Sequence, residues 1–233
     1  LRRQRQMCIR DSPSGTTALF EDVVVPVADL ADTCLELQQM FDTYAYDNAV
    51  IFGHAKDGNI HFLITDRFEG EENLARYNGF NDDLASLIIG RHGNLKAEHG
   101  TGRVMAPFVR QQFGDELYEV MVALKRAVDP RGTMNPGVII SEDPEEHLHN
   151  MKLNPTVEEA VDRCVECGFC EPVCPSRDLT MTPRQRIVVR RARAKALADG
   201  NVDAARELDE AYVYEGEQTL SLIHISEPTR LRR

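Results

Sequence analysis

Apolar residues along this chain follow two rhythms. Ala49-Val50-Ile51-Phe52 and Phe62-Leu63-Ile64 are short apolar runs on either side of Asp57-Gly58-Asn59, a strong turn signal. They predict a strand, a turn and a returning strand. Glu21-Asp22-Val23-Val24-Val25-Pro26-Val27 predicts a further short strand, with Pro26 near its end. Elsewhere the spacing is helical. Ala28 to Tyr46 carries Leu30, Leu35, Leu37, Met40 and Phe41 on one stripe, and Glu71 to Gly90 carries Leu74, Tyr77, Leu84, Leu87 and Ile88, with Gly79 as a possible interruption. Pro107 suits the first turn of a helix reaching Ala127, with Phe108, Phe113, Leu117, Val120, Met121 and Leu124 spaced for one buried face. Asp129-Pro130-Arg131-Gly132 ends that helix, and Met134-Asn135-Pro136-Gly137 is another turn. This order predicts an α+β domain, a small antiparallel sheet covered by helices.

The pattern changes after residue 140. Ser141 to Asn150 is acidic and polar and reads as a linker. Val157 to Arg163 is a short helix candidate, Thr182-Pro183 opens a basic helix that Gly200 stops, and Asp203 to Tyr212 is helical in composition. The expected division is residues 13–140 as the α+β domain, 141–156 as linker, and 157–219 as a truncated, mostly α-helical second module.

Composition narrows the class. The chain has 233 residues, of which 42% are hydrophobic, enough for one large domain or two small ones. No apolar run approaches the length of a membrane span. A net charge of −11 weighs against nucleic-acid binding. The ends look foreign: Arg2 to Ser12 reads as a translated sequencing adapter, and Leu220 to Arg230 as its opposite-strand counterpart. Residues 1–12 and 220–233 are therefore set apart from fold reasoning, and the remainder is expected to be an internal piece of a longer protein.

Candidate chemistry sits in two places. His54 and His61 flank the Asp57-Gly58-Asn59 turn, which brings them back beside each other. Side chains opposite one another on paired strands stand roughly 4.5–5.5 Å apart at Cβ, close enough for two imidazoles to share a metal ion. Glu98 offers a third ligand and leaves coordination positions open, and His99 beside it can act as a proton acceptor. Gly100-Thr101-Gly102 permits a sharp turn there. Histidines at strand ends are more often surface or satisfied core residues, so this pattern alone does not decide.

The cysteines are more specific. Cys8 falls in the foreign-looking start, and Cys34 stands alone in a helical pattern as a small core residue. Cys164, Cys167, Cys170 and Cys174, followed by Pro175, fit C-x2-C-x2-C-x3-C-P, the run whose thiolates wrap a 4Fe-4S cubane. Three close cysteines and a Cys-Pro are poor spacing for zinc. Arg184, Arg186, Arg190, Arg191, Arg193 and Lys195 follow on one helix, either as a docking surface for an acidic partner or anionic lipid or, more commonly, as a solvated face.

Taken together, Gly53-His54, Asn59-x-His61, Ala97-Glu98-His99-Gly100-x-Gly102 and Asn135-Pro136 resemble the C-terminal domain of FAD-linked oxidases of the D-lactate and D-2-hydroxyglutarate dehydrogenase type. The cysteine run just after that domain resembles the subgroup that carries a 4Fe-4S ferredoxin-type module. The resemblance implies His54, His61 and Glu98 as ligands of a divalent metal (Zn, Mn or Fe), His99 as the base that takes the hydroxyl proton, and Asn135 as a position near the flavin. It implies oxidation of a D-2-hydroxy acid, D-lactate first and D-2-hydroxyglutarate next, with electrons passing through FAD and the clusters to a quinone or cytochrome. It also implies a flavin domain upstream of this segment, so that residues 13–219 alone would lack turnover. Lys56 departs from the small residue many relatives have there. The implied location is cytoplasmic, with peripheral attachment to the inner face of the membrane as an extension. Two other readings remain open: a non-catalytic iron–sulfur electron-transfer subunit, and a zinc hydrolase built on two histidines and a glutamate.

Overall fold

The computed structural model describes residues 13–175 and 177–216. Residues 1–12 and 220–233, expected above to be foreign, lie outside the described residues, Cys8 with them. The described chain forms two compact units: Ala18–Lys152, and Leu153 onward joined by the residues up to Thr17. No helix among the described residues is long and apolar enough to cross a membrane.

The first unit is α+β. Its sheet has three strands, β1 (Thr17–Val24), β2 (Val50–His54) and β3 (Asn59–Asp66), in the order β1-β3-β2, with β2 and β3 antiparallel. Strand alternation gives β3 two different faces. Ile60, Phe62 and Ile64 are buried on one face, and Asn59 and His61 stand on the other. Helices α1 (Leu30–Thr43) and α2 (Glu71–Gly90) supply the aromatic partners of the apolar face. The Phe41 ring of α1 lies 5.7 Å from Phe62 and 5.9 Å from Phe80 of α2. Leu37, Leu84 and Ile88 complete that core. Burying each such side chain is worth roughly 1.5–3 kcal/mol, so the helices hold the sheet from one side and leave its opposite face for other work.

Several expectations shift. Helix α2 has the expected bounds and runs straight through Gly79, where an added Cβ would stand 3.2 Å from the Tyr44 ring. Leu35 is exposed, and the buried stripe of α1 is Thr33, Leu37 and Phe41. Cys34 is half-buried. The largest correction concerns α3 (Val109–Val128). Phe113, Leu117, Val120 and Leu124, expected to be buried, are exposed, while Val109 and Tyr118 are buried. Gly114, at φ 79° and ψ 165°, breaks the helix and resets its rotational phase. After the break Tyr118 turns inward, its hydroxyl donating to the Ser141 carbonyl at 3.1 Å.

The acidic stretch after residue 140 is held against this unit. Arg103 Nε donates to Glu146 at 2.7 Å, Ser141 Oγ donates to the same carboxylate at 3.0 Å, and His147 is buried beside the rings of Tyr77 and Phe108. Arg103 and Ser141 hold the Glu146 carboxyl below the usual range.

The second unit is mostly helical: α4 (Glu159–Asp162), α5 (Pro183–Ala198) and α6 (Val202–Gly216). Thr182 caps α5 in a reciprocal box with Gln185, and Pro183 sits at its first turn, as the sequence signals. The basic residues of α5 divide: Arg193 and Lys195 are exposed, as a solvated face would have them, while Arg186 and Arg191 are buried. Arg184 pairs with Glu171, Arg190 with Glu158, Arg191 with Glu166, Arg193 with Asp209 and Lys195 with Asp199. Arg186 is buried and donates to Thr180 Oγ1 at 2.8 Å.

Burial pushes His147 below the usual histidine value, against the pull of Asp82, Glu145 and Asp143. The folded state therefore binds fewer protons than the unfolded chain just below the ordinary histidine value. Its contribution is full above roughly pH 6.5 and is lost as pH falls. Thermal melts from pH 7.5 down to 5.5 should show the wild type losing more stability than His147→Phe. Parallel curves would show that His147 does not carry this dependence.

Candidate functional site

The face of the sheet away from the helices gathers the chemistry. In the β2–β3 register His54 stands opposite Asn59, and His61 opposite Phe52. The two histidines are thus diagonal neighbours on one face, a correction to the directly opposed pair expected from the turn, and their ring centroids are 5.2 Å apart. The turn between them is a short helical turn, Ala55–Asp57, closed by Gly58 in the left-handed region at φ 69°. A Cβ on Gly58 would stand 2.0 Å from the Val25 carbonyl oxygen, so this position requires glycine twice over.

Glu98 meets the hairpin from a segment outside the sheet. Its Oε1 lies 2.6 Å from His61 Nε2, 3.3 Å from His54 Nε2 and 3.9 Å from His99 Nε2, and Asn59 Nδ2 donates to it at 3.3 Å. The ligand atoms of His54, His61 and Glu98 fall within 4.8 Å of one another. Two imidazoles and a carboxylate in that space fit a divalent ion with open positions and suit Zn, Mn or Fe(II). The site is wet on one side only: the His61 side chain is 5% exposed, while those of His54 and Glu98 are 60% and 46% exposed. Phe20 of β1 walls the group, stacking on His61 at 5.2 Å and meeting His99 edge-on at 5.0 Å.

The backbone carrying Glu98 and His99 belongs to no strand, and its amides are satisfied one by one. Asn94 exchanges hydrogen bonds with Val24, Leu95 N–H donates to Gln112, and Lys96 N–H to the Asn94 side chain. Ala97 and Glu98 N–H both donate to Asp22 Oδ2, at 2.9 and 2.7 Å. Lys96 Nζ contacts Glu21, whose carboxyl is pushed up by burial and pulled back by that lysine. Asp22, Glu21, Asn59 and Phe20 were not singled out as site residues from the sequence. The available signal was two adjacent acids inside an apolar strand, where one must face the core.

Asn135 does not join this group. It is exposed, at φ 45°, in the turn after α3. That turn is held by Asp129, which accepts from Thr133 N–H, Met134 N–H and Lys125, contacts that keep its carboxyl well below the usual range. The same turn returns to the site loop through Ile139 N–H, which donates to the Gly102 carbonyl at 3.0 Å.

The cysteine run forms a loop in the other unit. Cys174 is buried, Cys164 and Cys170 are half-buried, and Cys167 is exposed. Glu166 N–H points at Cys164 Sγ, 3.4 Å away, an amide-to-sulfur bond of the kind that tunes cluster thiolates. Burial pushes the Cys164 and Cys170 thiols up, partly offset by amides of Glu166 and Arg184 respectively. Buried Arg191 ties the loop from α5, bonding the Cys164 carbonyl at 2.7 Å and Glu166 at 2.9 Å. Among the described residues the four sulfurs do not close to the 4.8 Å spacing of the histidine site, and a cubane, with one thiolate per corner, does not ask them to.

Comparison with known proteins gives a consistent set of similarities. The family of FAD linked oxidases, C-terminal domain, matches residues 1–139. Glycolate oxidase subunit GlcD of Bacillus subtilis is 30% identical over 128 residues, 54% of this chain and 27% of its own length. D-lactate dehydrogenase of Archaeoglobus fulgidus is 31% identical over 121 residues, covering 51% and 26%. D-2-hydroxyglutarate dehydrogenase of Escherichia coli is 29% identical over 211 residues, covering 78% and 20%. The chain thus spans between a fifth and a little over a quarter of these relatives.

Gly58→Ala should cost about 1–3 kcal/mol from backbone conformation alone, with the clash against Val25 added. Chemical denaturation of the two proteins checks it, and an unchanged midpoint would show that the turn accepts a side chain.

Proposed function

Because the chain belongs to the family of FAD linked oxidases, C-terminal domain, we propose that it forms the substrate-side part of a flavin-dependent dehydrogenase oxidising a D-2-hydroxy acid to the 2-oxo acid. D-lactate is the first candidate and D-2-hydroxyglutarate the second. The observation that carries the reading is the convergence of His54, His61 and His99 on one oxygen of Glu98. His54, His61 and Glu98 would hold a divalent metal, and Cys164, Cys167, Cys170 and Cys174 a 4Fe-4S cluster. When bound, these groups would supply an anchor for the carboxylate and hydroxyl, a hydride acceptor in FAD, and a path for electrons toward a quinone or cytochrome.

The chain's own residues would do the rest. His99, half-exposed and beside Glu98, would take the hydroxyl proton as the α-hydrogen leaves with its electron pair, so that two electrons and two protons depart and a carbonyl forms. Phe20 and Phe52 flank His61 and would exclude water behind the substrate. Asn135 would lie toward the flavin, on the turn tied to Gly102. The match to the Escherichia coli relative covers 78% of this chain, more than residues 1–139 alone, and the electron-transfer role proposed for residues 157–219 rests on the spacing of the four cysteines.

In the full gene product carrying this sequence, His99→Ala should lower turnover of the preferred acid about 10²–10⁴-fold. D-lactate and D-2-hydroxyglutarate, assayed with an artificial acceptor, would identify that acid. Unchanged turnover in His99→Ala would sink the assignment of the base. Separately, anaerobic reconstitution of the chain with iron and sulfide should give cluster absorbance that Cys170→Ala abolishes. Flavin and cluster without turnover of either acid would favour the electron-transfer subunit.

A further inference from the structure

One buried carboxylate faces three members of the histidine site without being one of its ligands. Asp22 is fully buried on β1. Its Oδ2 is occupied by the Ala97 and Glu98 amides. Its Oδ1 has no hydrogen-bond partner, the nearest cation being Lys96 Nζ at 3.7 Å. An oxygen of Asp22 and ring nitrogens of His61 and His99 lie within 4.8 Å of one another. His61 meanwhile uses Nε2 toward Glu98 and has its Nδ1 buried and unpartnered. An orphan buried acceptor and an orphan buried ring nitrogen on the same sheet face are each costly alone, and each is the other's natural complement.

We propose that Asp22 is the positioning residue of this site: Oδ2 sets Glu98 through the backbone, and Oδ1 receives the Nδ1–H of His61 when Nε2 is turned to a metal ion. The inference rests on the metal reading above. A histidine can give Nε2 to a cation only if its proton sits on Nδ1, and an acceptor there fixes both tautomer and ring orientation. One side chain thereby aligns two ligands that arrive from different parts of the chain, and holds the loop from which His99 projects.

Asp22→Asn separates this from a merely structural role. The amide oxygen can still accept from Ala97 and Glu98, but its NH2 offers His61 a donor, which favours the tautomer that cannot ligate. Mn²⁺ uptake by the whole chain, followed by loss of the free-ion EPR signal, suits the test because thiolates compete poorly for this hard ion. Asp22→Asn should weaken Mn²⁺ binding about tenfold to a hundredfold while amide exchange at Ala97 and Glu98 stays slow. Asp22→Ala should lose both. Wild-type affinity in Asp22→Asn would overturn the proposal. If that variant fails to fold, nitrogen-15 NMR of the Zn²⁺-loaded wild type decides: His61 should carry its proton on Nδ1, and a bare Nδ1 would overturn it. Wild-type chain that takes up no more Mn²⁺ than His61→Ala would instead remove the metal reading, and this proposal with it.

Discussion

The candidate site depends on how an irregular segment is kept in place. Residues 94–98 meet the sheet only through the bridge between Asn94 and Val24, so the amides after Asn94 have no ladder to enter. Leu95 and Lys96 N–H find side-chain acceptors in Gln112 and Asn94, and Ala97 and Glu98 N–H share the buried carboxylate of Asp22. Asp22 is fully buried, and leaving such an acceptor unsatisfied costs on the order of 1–3 kcal/mol, so the end of the segment that serves it is confined to one path. Glu98 can reach the two histidines because of that confinement. The hairpin contributes the other half through a turn that only glycine can close against Val25.

The sheet divides labour between its faces. Aromatic packing on Ile60, Phe62 and Ile64 fixes β3 from the helix side, while His61 and Asn59, one residue out of phase, stand on the other. The alternation of a strand therefore couples core stability to site geometry. A one-residue slip of β3 would turn His61 toward the core and Phe62 toward the site.

Much of this is legible in the residues. The helix over Glu71–Gly90, the capped helix after Thr182 and the hairpin around Asp57-Gly58 follow from local signals, and local signals decided them. Three features were not legible, two of them for non-local reasons. The phase of α3 depends on a glycine kink that a period count passes over. The basic residues of α5 read as a docking surface or a solvated face, and the burial of Arg186 and Arg191, the latter against Glu166, depends on partners elsewhere in the chain. Asp22 reads as one acid among strand residues, and its role appears only when residues 75 positions later fold onto it.

The cysteine loop carries a further consequence. It is framed by Arg191 and Arg184, whose guanidinium groups hold backbone oxygen and carboxylate on the helix side. A guanidinium does not lose its proton at any pH a cell reaches, and it does not change oxidation state. The frame is thus built from cations that neither titrate nor take up electrons, although the thiols it surrounds can do both. Titration or oxidation at the sulfurs would therefore leave the charge of these two anchors as it was.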